Sequence, residues 1–339
     1  MQQIVHDVQY NFVRLIGEGG MGAVYEAILG GAEGFQKRTA IKTILQSASE
    51  DQEFVEMFIG EAKLVADLVH ENIVQIYQLG KTADGYFIAM EFINGMNLEE
   101  FVEKHRELGM RVPAEWSAFI ISRVARGLEY AHSKCGLDGG LLGVVHRDVN
   151  PKNVMMRIDG VVKLGDFGIA KAAHFMASKE GEMLMGKWMY MSPEQASFLE
   201  TDARSDIFSL GIVLHELLTM KPLFGDDDLY IVREKLLNGE IPSPREANPD
   251  VPDDLEKIVM KMLDRDLDKR YQDAQTLSYD LEYHLYHKGY GPTNQTFGRY
   301  LSKLFPEIKT EHTLAGSQSQ SAPPAYDPNE ETAELPPPS

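Results

Sequence analysis

At 339 residues, 43% of them hydrophobic and 25% charged, the chain has the composition of a soluble globular protein with room for two separate cores. A formal net charge of −19 excludes nucleic acid as a partner, because phosphates demand basic patches, and no apolar run reaches the roughly eighteen residues a membrane span needs. The lone cysteine, Cys135, rules out an intramolecular disulfide and, with no basic and apolar leader in Met1-Gln2-Gln3-Ile4-Val5, points to a reducing, cytoplasmic setting.

From Tyr10 the chain reads as strand, glycine turn, strand: Phe12-Val13-Arg14-Leu15-Ile16, then Gly17-Glu18-Gly19-Gly20-Met21-Gly22, then Ala23-Val24-Tyr25. Gly17, Gly19 and Gly22 form G-x-G-x-x-G, and glycines let backbone N–H groups approach a phosphate closely. A dinucleotide-binding turn has the same glycines but opens a helix. Here β-branched and aromatic residues follow, which favours a hairpin lid.

The run Arg38-Thr39-Ala40-Ile41-Lys42-Thr43-Ile44 alternates as a half-buried strand does and sets Lys42 among apolar neighbours, where a cation is costly unless an anion meets it. Over 53–68, Phe54, Phe58, Glu61, Val65 and Leu68 follow helical spacing, which puts a carboxylate on the apolar face. An inward Lys42 and an inward Glu61 suggest a buried pair, with two solvated surface charges as the alternative. Strands are predicted over 74–80 and 86–91. Met90-Glu91-Phe92-Ile93-Asn94-Gly95 then leaves the sheet through a glycine, where a hinge would lie.

Helical patterns dominate from there. Pro113 opens a helix to 133 with Phe119, Ile120, Val124, Leu128 and Ala131 as its apolar positions. The run 203–220 is apolar nearly all round and is predicted to be central and buried, and 226–237, 253–263 and 274–287 complete a helical lobe. Between them stands Val144-Val145-His146-Arg147-Asp148-Val149-Asn150-Pro151-Lys152-Asn153, followed by a short strand, Val161-Val162-Lys163-Leu164, and by Asp166-Phe167-Gly168. Asp148, Asn153 and Asp166 can bring three oxygen-bearing side chains to one point, the hard donors that Mg²⁺ takes together with phosphates. The alternative is that the aspartates cap turns. Residues 289–339, rich in Pro, Ser, Gln and Glu, are expected to be a disordered tail unable to bury a core. Within it Pro336-Pro337-Pro338 is a candidate ligand for a polyproline-binding partner; ahead of it, His284 and His287, at i, i+3 on one helix face and lacking a third ligand, are read as surface residues.

The ordered series Gly17-x-Gly19-x-x-Gly22-x-Val24, Ala40-Ile41-Lys42, Glu61, His146-Arg147-Asp148, Asn153, Asp166-Phe167-Gly168, Ser192-Pro193-Glu194, Asp206 and Arg270 resembles the eukaryotic-type protein-kinase domain, most nearly the bacterial Ser/Thr kinases, over residues 10 to 288. The resemblance implies an α+β bilobal fold, with a small antiparallel β-sheet N-lobe carrying one helix and a larger, mainly α-helical C-lobe. Its parts would be an N-terminal extension (1–9), the N-lobe (10–91), the hinge (92–97), the C-lobe (98–288) and the tail (289–339). It implies ATP and Mg²⁺ as cofactors and unidentified protein substrates as partners. Lys42 would hold the α- and β-phosphates and Glu61 would hold Lys42; Asn153 and Asp166 would bind Mg²⁺, and Asp148 would accept or orient the substrate hydroxyl. Ile16, Gly17, Gly19, Gly22, Val24, Ala40 and Met90 would line the nucleotide site, the backbone of Glu91 and Ile93 would meet the adenine edge, and Asn97 would reach the ribose. Glu194 would pair with Arg270 as a structural element.

Two departures stand out. Asn150 occupies the position where Ser/Thr kinases carry Lys two residues after the catalytic Asp, and Lys187 follows Gly186 where they carry Thr. Lys187 or Lys152 would then supply the missing cation near the γ-phosphate. Lys152 also sits where tyrosine kinases have Arg, but Tyr190, four residues before Glu194, keeps the Ser/Thr register. The segment from Gly168 to Glu194 contains no Thr, so Glu180 or Glu182 would neutralise Arg147, with Ser178 as an optional phosphosite. The function expected is transfer of the ATP γ-phosphate to Ser/Thr hydroxyls of protein substrates and of the chain itself. The alternative is a pseudokinase, an ATP-binding scaffold with weak or no transfer.

Overall fold

A computed structural model describes residues 8–19, 22–44, 52–82, 85–136, 138–167, 188–225 and 228–309. The N-terminal part is a five-stranded antiparallel sheet of order β1-β2-β3-β5-β4, formed by β1 (Gln9–Gly19), β2 (Gly22–Gly30), β3 (Gln36–Ile44), β4 (Ile76–Thr82) and β5 (Gly85–Glu91). Helix α1 (Gln52–Ala66) covers one face, where Phe58 and Ala62 pack on Ile44 and Ile88. The alternation read from β3 is what makes this possible, because side chains two apart share a face of the sheet.

A three-stranded sheet of β6 (Gly95–Asn97), β7 (Val154–Arg157) and β8 (Val162–Leu164) forms the seam to the second lobe. That lobe is helical: α2 (Leu98–Glu107), α3 (Ala114–His132), α4 (Pro193–Ala196), α5 (Ala203–Thr219), α6 (Leu229–Asn238), α7 (Pro244–Ala247), α8 (Asp253–Met262) and α9 (Ala274–Tyr286). Helix α5 is buried from Ser205 to Thr219, as its all-round apolar character predicts. The small antiparallel sheet lobe with its helix and the larger helical lobe are the two expected halves of the fold.

Part of the expected tail is folded. Residues 294–304 form an eleventh-hour addition to the helical lobe, α10 (Asn294–Leu304), started by a Thr293–Thr296 capping box. Phe297 and Leu301 are fully buried, with the Phe297 ring 5.1 Å from Trp116, 5.5 Å from Phe119 and 6.1 Å from Phe101. The Tyr300 hydroxyl lies 2.6 Å from His105 Nε2. The reason is visible in the residues: Phe297, Leu301 and Leu304 make an apolar helical stripe, but averaging composition over 289–339 hides it among prolines and polar residues. Leu301→Ala should therefore destabilise the domain by about 2–3 kcal/mol, the lower part of the range for buried Leu truncation. Denaturant unfolding of wild type and variant checks this, and an unchanged midpoint would contradict it. Of the two histidines at the end of α9, His284 Nδ1 sits 2.7 Å from an Asp254 carboxylate oxygen, and no group of three or more metal-ligating side chains occurs among the described residues.

Candidate active site

The loop between α3 and β7 is held from beneath by α5. The backbone N–H groups of His146 and Arg147 each donate to the Asp206 carboxylate at 2.7 Å, and His132 Nε2 lies 2.8 Å from it. Burial alone would raise the Asp206 carboxyl, but His132 and the backbone donors outweigh it and hold the group below the usual carboxylate range. The His146 ring is fixed on both sides. Its Nε2 donates to the Gly165 carbonyl at 2.9 Å and its Nδ1 accepts from the Asp148 N–H at 3.2 Å, while its ring lies 4.5 Å from that of Phe167. Arg147 and Asp166 both adopt left-handed backbone, at φ 64° and 53°, a conformation that costs a non-glycine residue energy and gathers at functional sites.

Asp148 is bracketed by two amides. Asn150 Nδ2 donates to its carboxylate and to its backbone carbonyl, both at 3.0 Å. Asn153 Nδ2 donates to the same carbonyl at 2.7 Å and to the carboxylate at 3.3 Å. Asn150 Oδ1 also accepts the Lys152 N–H at 3.0 Å. The residue standing where the resemblance leads one to expect a lysine is thus an orienting bracket for Asp148. Asn150→Ala should lower turnover about three- to tenfold at saturating nucleotide, the value of one net hydrogen bond, with nucleotide affinity unchanged. Steady-state kinetics checks it, and equal turnover would remove Asn150 from the account.

Lys42 Nζ pairs with Asp166 Oδ1 at 2.8 Å, and the Lys42 side chain is only 13% exposed, so it is no solvated surface charge. The Glu61 side chain, its expected partner, lies outside the described residues. In the sheet register Lys42 stands opposite Val24 and Ile88, and Ala40 stands opposite Met90; all five side chains therefore share one face. A cavity opens there, lined by Lys42, Phe58, Val65, Met90, Asp166 and Phe167 among others. The Gly165 N–H donates to the Asn153 carbonyl at 2.8 Å, which ties the Asp166 segment to the Asp148 loop. Lys42, Asp166, Asn153 and Asp148 thus form one linked set.

With the Asn153 NH₂ engaged on Asp148, its Oδ1 is left as a hard oxygen donor beside the Asp166 carboxylate. Two protein oxygens plus phosphate suit Mg²⁺, which takes few protein ligands and keeps the rest of its shell for water and substrate. The glycine turn is formed by β1 and β2, with Gly17 opposite Val24 and Gly19 opposite Gly22, and Ile16 falls at an irregularity between Leu15 and Gly17. A Cβ on Gly22 would come 1.9 Å from the Thr43 carbonyl oxygen, so only glycine fits there.

The remaining candidate residues have varied surroundings. Asn97 is the N-cap of α2: its side chain accepts from the Glu100 N–H at 2.9 Å, and Glu100 accepts from the Asn97 N–H at 2.8 Å. That reciprocal cap gives the side-chain oxygen a structural task at the start of α2 and leaves the amide NH₂ for the expected ribose contact. Lys152 is exposed, with Nζ 3.7 Å from a Glu99 oxygen. Gly168, Ser178, Glu180, Glu182, Gly186 and Lys187 lie outside the described residues. Glu91 donates its N–H to the Gln75 carbonyl at 2.8 Å and stands opposite Thr39 at the end of the β3–β5 ladder. Glu194 receives Arg270 Nη1 at 2.8 Å and the Ser205 hydroxyl at 2.7 Å. Sequence reasoning missed two supports: His132, which carries no motif signal, and Thr201, whose hydroxyl accepts from Arg147 Nε at 3.1 Å.

Comparison with known proteins agrees with this geometry. The model of the protein kinase domain family matches residues 10–281. The tyrosine-protein kinase MasK of Myxococcus xanthus is 39% identical over 302 residues, 88% of this chain and 46% of that protein. The serine/threonine-protein kinase PrkC of Bacillus subtilis is 34% identical over 276 residues, 81% of this chain and 40% of that protein. The chain thus spans less than half the length of these relatives. Among solved structures, the PknI kinase domain of Mycobacterium tuberculosis superposes with a TM-score of 0.60 at 24% identity, over 80% of this chain and 94% of that one, a likeness of fold. The chain belongs to the protein kinase domain family.

Proposed function

We propose that the chain transfers the γ-phosphate of ATP to a Ser or Thr hydroxyl of protein substrates and of the chain itself, in the cytoplasm. The observation that supports it most is the linked set of Lys42, Asp166, Asn153 and Asp148. In this reading the glycine hairpin covers the phosphates, Val24, Ala40 and Met90 pack on the base, and the backbone of Glu91 and Ile93 meets its edge. Lys42 exchanges the Asp166 carboxylate for the α- and β-phosphates. Asn153 and Asp166 would hold Mg²⁺, which would supply charge neutralisation at the phosphates. Asp148, oriented by Asn150 and Asn153, accepts the hydroxyl proton or aims the hydroxyl at phosphorus. Little covalent help is needed, since positioning and charge supply most of the rate.

The cation that Asn150 omits is supplied in this reading by Lys187 or by Lys152, whose exposed Nζ lies 3.7 Å from a Glu99 oxygen. Lys187→Ala should lower kcat tens-fold or more, as loss of a transition-state charge contact does. Unchanged turnover would withdraw that role.

Serine or threonine is favoured over tyrosine as acceptor because Tyr190 holds the Ser/Thr register before Glu194, and its hydroxyl is anchored on Glu216 at 2.6 Å. Tyrosine is the second reading, supported by MasK at 39% identity. Phosphosite mapping by mass spectrometry after incubation with ATP and Mg²⁺ decides between them. Phosphoserine and phosphothreonine are expected; phosphotyrosine alone would shift the reading to the second, and nucleotide binding without any transfer would leave a scaffold.

A further inference from the structure

The match to the kinase family ends at residue 281, yet the folded chain continues through α10 to residue 309. That addition reaches the back of the hinge by two routes. The first is direct: Asn94 Nδ2 donates to the Lys309 carbonyl at 3.0 Å. The second runs through the turn between β7 and β8. Helix α10 sits so close on this turn that a Cβ on Gly298 would lie 2.5 Å from the Asp159 carbonyl carbon and oxygen. A Cβ on Gly160 would lie 2.0 Å from the Asn294 oxygen.

The turn in its own right grips the hinge. Ile158 N–H donates to the Asn94 carbonyl at 2.9 Å, and Gly95 pairs with Arg157 across β6 and β7. Asp159 takes Arg157 in a bidentate contact at 2.8 and 2.6 Å, which aims the guanidinium toward Glu91, 4.0 Å away. Lys163, nearly buried, completes the grip on Glu91 at 2.9 Å. Both ends of the 91–94 segment are therefore held, Glu91 by Arg157 and Lys163 and Asn94 by Ile158 and Lys309.

We propose that residues 294–309 are a brace for the hinge, fixing the 91–94 backbone from behind and so setting the affinity of the cleft for an adenine nucleotide. This rests on the nucleotide reading above. Recognition by backbone groups needs their directions fixed to within about 10–20°, and a segment outside the matched family domain supplies that constraint here. Asn94, Asp159 and Gly298 act through the hinge and are positioning residues.

The test measures the dissociation constant of Mg·ADP by titration calorimetry on the full chain, for wild type, Gly298→Ala and Asn94→Ala. ADP reports binding without transfer. Gly298 is remote from the cleft, and alanine is the better helix former, so that change disturbs the fit of α10 on the turn without weakening the helix. Asn94→Ala removes only a half-exposed side chain and keeps the test decisive if Gly298→Ala does not fold. Each folded variant should bind ADP about three- to tenfold more weakly, the value of one misaligned hydrogen bond, with KM for a peptide substrate unchanged. A merely structural role would lower the melting temperature and leave the ADP constant alone. A constant within twofold of wild type in either folded variant overturns the proposal. A wild type that binds no ADP overturns it together with the nucleotide reading.

Discussion

Asp148→Asn should lower turnover by about a thousandfold while nucleotide affinity stays within a few-fold of wild type. A positioned general base is worth roughly 10²–10⁴ in rate, and Asp148 is the one carboxylate in the loop held by both Asn150 and Asn153. The substitution keeps size and shape. It keeps the backbone carbonyl contacts at 2.7 and 3.0 Å and sacrifices only carboxylate bonds, so the loop should remain folded. Rapid-mix kinetics with a peptide acceptor, beside calorimetric nucleotide binding, separates the two effects. Turnover within tenfold of wild type would mean that the hydroxyl is met by some other group.

Arg270→Ala should cost about 3–5 kcal/mol of stability, the usual penalty for breaking one partner out of a buried ion pair. Arg270 has no exposed side-chain surface, and it joins Glu194, the Arg204 carbonyl and the Asp264 carbonyl. The change would strand the Glu194 carboxylate and the Arg204 carbonyl at the junction of α4 and α5, and the Asp264 carbonyl just beyond α8. The same pair has a pH signature. Burial pushes the Glu194 carboxyl up, but Arg270 and the Ser205 hydroxyl pull it down further, so its folded pKa lies below the ordinary 4.5. A depressed carboxylate contributes stability that is fully present above its unfolded pKa and is lost as pH falls through the folded value. Wild type should therefore lose stability below about pH 4.5 more steeply than Arg270→Ala. Unfolding midpoints across that window, parallel in the two proteins, would contradict the assignment.

What could be read from residues alone was chemistry concentrated in short stretches. The glycine hairpin, Lys42, the Asp148 loop and Asp166 each combine a residue type with a local spacing, and both halves of the fold follow from period two giving way to period 3.6. The central helix was legible because α5 is apolar all round. Contacts made by the rest of the chain were not. Helix α10 has its stripe, but in a window dominated by prolines. Asn97 reads as a sugar contact, and its second task, the reciprocal cap with Glu100 at the start of α2, did not enter that reading although the Asn-x-x-Glu spacing carries it. Asn150 read as a missing lysine, whereas its donors serve the neighbour two residues back. Lys42 meets Asp166, 124 positions away, a partner that no local window contains.

The claim that everything else serves is that this cleft moves phosphate. The most direct measurement follows label from γ-³²P-ATP onto the purified chain and a protein acceptor, with Mg²⁺ and with Mg²⁺ removed by chelator. Label on serine or threonine that vanishes with the metal, and is missing from Asp148→Asn, is the predicted result. ATP held tightly with no label transferred by wild type at any Mg²⁺ concentration would contradict it.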